Sequence, residues 1–110
     1  MYTFIANFLS YLQQNDIPYT QDIESEYEML FVNSWAVPYR LIRAQKAARP
    51  NLRVVHRVDG SGRDYGRSDD SDNRQARVNM LADITIFQSR YSKYSSTEKF
   101  KVIQQDGQII

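Results

Sequence analysis

The run His56-Arg57-Val58-Asp59-Gly60 sets an imidazole, a guanidinium and a carboxylate side by side where the apolar stretch "LRVV" gives out. Asp59 is the group with acid–base potential. A carboxylate accepts from a hydroxyl, and partial burial raises its pKa toward the range where it can take that proton. Arg57 could hold a phosphate or orient the carboxylate. Gly60 permits a sharp exit from a strand. His56 titrates near neutrality, which suits a ligand contact, although a single histidine on a core strand is more often a satisfied core group. The structural alternative for the whole run is an Arg–Asp pair that closes a strand end.

The next residues, Gly60-Ser61-Gly62-Arg63-Asp64-Tyr65-Gly66, stand between a strand and a helix, as a dinucleotide fingerprint does. Their spacing is GxGxxxG rather than GxGxxG, and the helix begins several residues further on, so its positive end is not delivered to a phosphate. The loop is better suited to recognising a substrate through Arg63, Tyr65 and Arg67, against the alternative of a plain solvated loop. Asp70-Ser71-Asp72 has the form of a metal-binding DxD, but carboxylates at a helix start serve the exposed N–H groups and the dipole, and capping is the expected role. Gln88-Ser89 ends the following strand and can bond a ligand or cap the next helix.

These groups need a scaffold. The chain has 110 residues, 42% hydrophobic and 25% charged, which supports one packed domain and argues against global disorder. It has no cysteine and one histidine, which removes disulfides, thiolate sites and multi-histidine metal sites; neither metal nor cofactor is expected. No apolar run reaches the roughly 18 residues of a membrane span, and no signal-peptide pattern opens the chain, so a soluble, cytoplasmic protein is expected. The net charge of +1 hides an acidic stretch up to residue 28 and a basic one from 29 to 58. Arg40, Arg43, Lys46, Arg49 and Arg53 lack interleaved aromatic residues, so nucleic acid is not an expected partner.

Residues 3–14 place Phe4, Ile5, Phe8, Leu9 and Leu12 on one helical stripe. Residues 17–23 read as a short strand and 28–34 as a buried one. Pro38 opens a helix over 37–49 with Val37, Leu41, Ala44 and Ala48 inward. Strands at 52–58 and 83–89 flank a helix from 71 or 72 to 81. A short helix within 90–99 and a strand at 100–105 close the pattern. Alternating strands and helices predict a single α/β domain, a Rossmann-like parallel sheet of about four or five strands with flanking helices. Ligands of such sheets bind beyond the carboxyl ends of the strands, where Asp59 and its loop fall.

Four stretches, "LFVNS" with the helix after it, "RVVHRVDG", "NMLADITIFQSRYS" and "FKVIQQDGQII", resemble the N-terminal, acceptor-side domain of a GT-B fold glycosyltransferase of the family 4 type. The second and third are the specific ones, and the likeness runs over nearly the whole chain. It implies sugar transfer from a nucleotide sugar to an acceptor hydroxyl, with Asp59 as the catalytic candidate and His56, Arg57, Gly60, Arg63, Arg67, Gln88 and Ser89 on the saccharide acceptor side. A member of that family has a first strand and a glycine-rich loop ahead of the helix at 3–14. It also has a second domain that binds the donor. The resemblance therefore implies a fragment, inactive alone, for which a nucleotide sugar is a partner only when a donor domain is supplied. Neighbours of an absent first strand would lose ladder partners, at about 1–3 kcal/mol for each buried unpaired group. Residues 17–23 could move in, the sheet could rearrange, or chains could associate through edges. Homo-oligomerisation is the expected repair, and the alternative to a transferase fragment is a non-catalytic, self-associating module.

Overall fold

The computed structural model describes residues 2–58, 69–88, 90, 93–94 and 108–109, without the side chains of 2–4, 69–72 and 108–109. Its elements run α1 (Tyr2–Gln14), β1 (Met29–Asn33), α2 (Tyr39–Ala48), β2 (Arg53–Val58), α3 (Asp69–Asn79), β3 (Ile84–Phe87) and β4 (Gln108–Ile109). The strands pair in the order β1-β2-β3-β4, every pair parallel. Strands of five, six and four residues make up the sheet, and β4 adds a two-residue pairing at its far edge. The sheet is thus smaller than the four or five full strands that the alternation suggested. Residues 17–23 form no strand but turns and extended chain, so nothing among the described residues pairs with the outer edge of β1. Proline at 18 and the turn hydrogen bonds around Asp22 account for this. Of the expected strand at 100–105 nothing can be said, because it lies outside the described residues.

Alternation along the strands sorts the side chains onto two faces. Val32, Val54 and Val58 look toward α2 and α3, where Ile42, Leu52, Val78 and Ala82 complete one core cluster and Phe87 with Val58 a second. On the other face, α1 lies against β1, with the rings of Phe8 and Phe31 4.8 Å apart. Ile5, Phe8, Leu9 and Leu12 are only half-buried, so α1 covers the sheet's rim rather than its centre.

The inward face of α2 differs from the expected one. Ile42 and Gln45 are buried, while Leu41 is 39% exposed and Ala44 and Ala48 are exposed. Leu41 and Ile42 are adjacent and cannot both face inward. The β-branched Ile42 takes the core with Gln45 a turn later, a position that its polarity disguised. Val37 does pack on the core. The α3 helix begins at Asp69, so Asp70-Ser71-Asp72 lies in its first turn rather than ahead of it.

At the amino edge, Asp83 ties three elements together. Its Oδ2 accepts from the Val54 amide at 2.8 Å and from Lys46 Nζ at 3.2 Å, and its own amide donates back to the Val54 carbonyl. Partial burial works against its charge, but the Val54 amide and the Lys46 ammonium outweigh that and hold the carboxyl below its ordinary value.

Candidate functional site at the carboxyl edge

The carboxyl ends of β1, β2 and β3 meet over a buried polar cluster. Register sets Val32, His56 and Thr85 side by side across three strands. His56 is fully buried and faces α3. Its Nε2 lies 2.7 Å from the Ser34 carbonyl oxygen, which can only accept, so Nε2 carries the hydrogen. The other ring nitrogen, Nδ1, accepts from Asn79 Nδ2 at 3.1 Å. Asn79, fully buried at the end of α3, gives its second amide hydrogen to Thr85 Oγ1 at 2.9 Å. The chain of bonds fits a neutral imidazole in one tautomer and locks the last turn of α3 to β2 and β3.

Arg57 projects from the opposite face. Its Nη1 donates to Asn33 Oδ1 at 2.8 Å, between neighbours in register on β1 and β2, and the residue is 5% exposed. Consecutive positions on one strand must point to opposite faces, so His56 and Arg57 belong to two separate polar contacts rather than one constellation. Both are buried supports of the edge. Gln88 stands exposed just past β3. Asp59, Gly60, Arg63, Tyr65, Arg67 and Ser89 lie outside the described residues.

Ser34 makes the turn out of β1 with φ 58°, the left-handed region that glycine prefers. Its amide donates to the Arg57 carbonyl at 2.8 Å, and its buried Oγ has no hydrogen-bond partner among the described residues. The bonds from His56 and to Arg57 over-determine the turn, which is how a strained residue persists. The turn carries Trp35 and Val37 over the start of α2.

There the structure opens a groove of about 390 Å³, lined among others by Trp35, Val37, Tyr39, Arg40, Arg74 and Arg77. The guanidinium of Arg74 sits 5.6 Å from the Trp35 ring centre and that of Arg77 5.0 Å from that of Tyr39. Sequence reasoning missed this site. Arg40 belongs to the basic middle of the sequence and Arg77 stands 37 residues further on, so only packing of α3 against the start of α2 unites them. The sequence signal available was Trp-x-x-Pro-Tyr-Arg immediately after a strand.

Among the described residues, no three His, Cys, Asp or Glu side chains gather as metal ligands, and no helix is long and apolar enough to cross a membrane. No family model, no curated protein and no solved structure matches the chain. What the fold and the site define is a small α/β protein with an open parallel sheet and a polar carboxyl edge.

Proposed function

We propose that the chain is a Rossmann-like acceptor-side domain of the GT-B glycosyltransferase kind, which holds a saccharide at the carboxyl edge of its sheet and does not transfer sugar alone. The observation that carries this reading is the parallel sheet whose β2 ends at Val58 on the carboxyl edge, beside the pinned Ser34 turn. In this reading His56 and Arg57 are positioning residues: they brace the edge from below and from behind. Asp59, Gly60, Arg63, Arg67, Gln88 and Ser89 meet the acceptor, with Asp59 the carboxylate that accepts from its hydroxyl. The nucleotide sugar enters only with a donor-binding domain, in a cytoplasmic setting. The test is calorimetric titration with glucose, galactose, mannose and their methyl glycosides. Binding that Asp59→Asn removes without changing the melting temperature supports the reading. No binding by any of these sugars overturns it.

A second reading rests on the outer edge of β1, which has no strand partner among the described residues and on which Met29 is 58% exposed. There we propose self-association, an edge meeting the edge or apolar face of a second copy. Sedimentation across a concentration series should give a mass above the monomer that Met29→Lys lowers. A monomer throughout would refute it.

A further inference from the structure

We infer that the groove between the start of α2 and the middle of α3 binds a phosphate monoester carried on a small ring-bearing molecule. The inference does not depend on the glycosyltransferase reading. It begins with charge. Among the described residues, those lining the groove include Arg40, Arg74 and Arg77 and no acid. Arg74 is engaged in a further interaction, so Arg40 and Arg77 carry the argument. Both are exposed, and neither makes an ion pair among the described residues. Two guanidiniums lining one concavity, with no ion-pair partner among the described residues, suit an oxyanion that offers several acceptor oxygens.

The start of α2 adds to that charge. Its N-cap is Pro38, which makes no side-chain cap bond, and its first turn holds no acidic residue. The Leu41 and Ile42 amides donate to the Pro38 carbonyl, which leaves the amides of Tyr39 and Arg40, at the end that lines the groove, without an intrahelical acceptor. A phosphate monoester, with three terminal oxygens, can take guanidinium and amide donors at once.

The groove's walls speak for the ring. Trp35 and Tyr39 supply aromatic surface, and Val37, Pro38 and Val78 the rest of an apolar lining. Each aromatic ring also holds one arginine by its face, which keeps the guanidinium ordered before a ligand arrives. Trp35 Nε1 is a buried donor with no hydrogen-bond partner among the described residues. At about 390 Å³ the groove lies within the range of small-molecule sites, roughly 300–1,000 Å³.

Trp35 is the chain's single tryptophan, so its fluorescence reports on this groove alone. The experiment titrates the full chain with glucose 6-phosphate, adenosine 5′-monophosphate, inorganic phosphate and glucose, reading Trp35 emission and, in parallel, heat. The expected result is saturable binding of at least one phosphate monoester, weaker binding of inorganic phosphate and no change in emission with glucose. Arg40→Ala and Arg77→Ala should each weaken the monoester about tenfold, the loss expected for one charged hydrogen bond. Both side chains are exposed, so melting temperatures should hold. Response to adenosine monophosphate alone identifies the ring as a nucleobase, and response to glucose 6-phosphate alone as a sugar. The inference is overturned if neither monoester saturates, if glucose changes the emission equally, or if the Arg40→Ala/Arg77→Ala double variant binds as the parent does. Failure here leaves saccharide binding at Asp59 untouched, since that is read by Asp59→Asn.

Discussion

Replacing Asn79 with alanine tests whether the buried polar cluster holds the carboxyl edge together. Asn79 gives one amide hydrogen to His56 Nδ1 and the other to Thr85 Oγ1, and all three groups are buried. The substitution takes a donor from two acceptors that water does not reach. Leaving a buried group short of a partner costs about 1–3 kcal/mol, and alanine returns a few tenths through its better helix propensity. The net loss should be about 3 kcal/mol, a large share of the roughly 5–15 kcal/mol that holds a domain of this size. At roughly 4–8 °C per kcal/mol, the melting temperature should fall by about 12–24 °C, measured by calorimetry or circular dichroism. Thr85→Val removes one of the two acceptors and should cost less. In the double variant the two losses should fall short of their sum by about 1 kcal/mol, because the bond between them is counted once. The chain has one histidine, so ring-nitrogen NMR reads the tautomer directly, and hydrogen on Nε2 is expected in the parent. A fall of less than about 4 °C in Asn79→Ala, or strictly additive losses, would refute the account of the cluster as a tie between α3 and the sheet.

Ser34→Gly should raise stability by about 1 kcal/mol, since it relieves a left-handed non-glycine residue and removes a buried hydroxyl without a partner, partly offset by glycine's greater freedom when unfolded; an unchanged or lower melting temperature would contradict the strain assigned to that turn. Asp83→Asn should cost about 1 kcal/mol, a figure held down by the exposure of the Lys46 pair. The Asp83 carboxyl lies below its ordinary value of 3.8 when folded, so its contribution is full above that value and disappears as pH falls through the lower, folded one. Acid unfolding curves of Asp83→Asn and the parent should therefore converge at the acid end; a difference that persisted there would count against the carboxylate.

Much of the scaffold was legible from residue types alone. Helix 3–14 and strands 28–34 and 52–58 lie within a residue or so of where apolar periodicity and Pro or Asn punctuation place them. Periodicity was less able to say which way α2 turns, because Leu41 and Ile42 offer two rival stripes and the buried third residue, Gln45, is polar. His56 and Arg57 attract notice as adjacent polar residues on a core strand. Their adjacency is also what separates them, since strand geometry sends one to α3 and the other to Asn33. Their partners Asn79 and Ser34 could not be read ahead of time. Each looks like helix-end or turn material, and only the approach of α3 to the sheet gives them a role. The arginine and tryptophan groove was hidden for the same reason, being made by contact between segments that the sequence keeps apart.

The match between strand order in space and strand order along the chain has a consequence for how the molecule is made. As synthesis proceeds, β2 meets β1 already in place, β3 meets β2, and β4 meets β3. None of the described strands has to be inserted between two that have already closed on each other, the step that forces many parallel sheets to wait for distant segments. Each new ladder lays itself on the most recent edge, and the helix just completed folds down over it. Assembly can keep pace with elongation, which shortens the time that β-branched strands such as "VVHRV" and "ITIF" spend unpaired and open to aggregation. The outer side of β1, where this growth starts, is never on the growing side. Among the described residues, no later strand pairs with it.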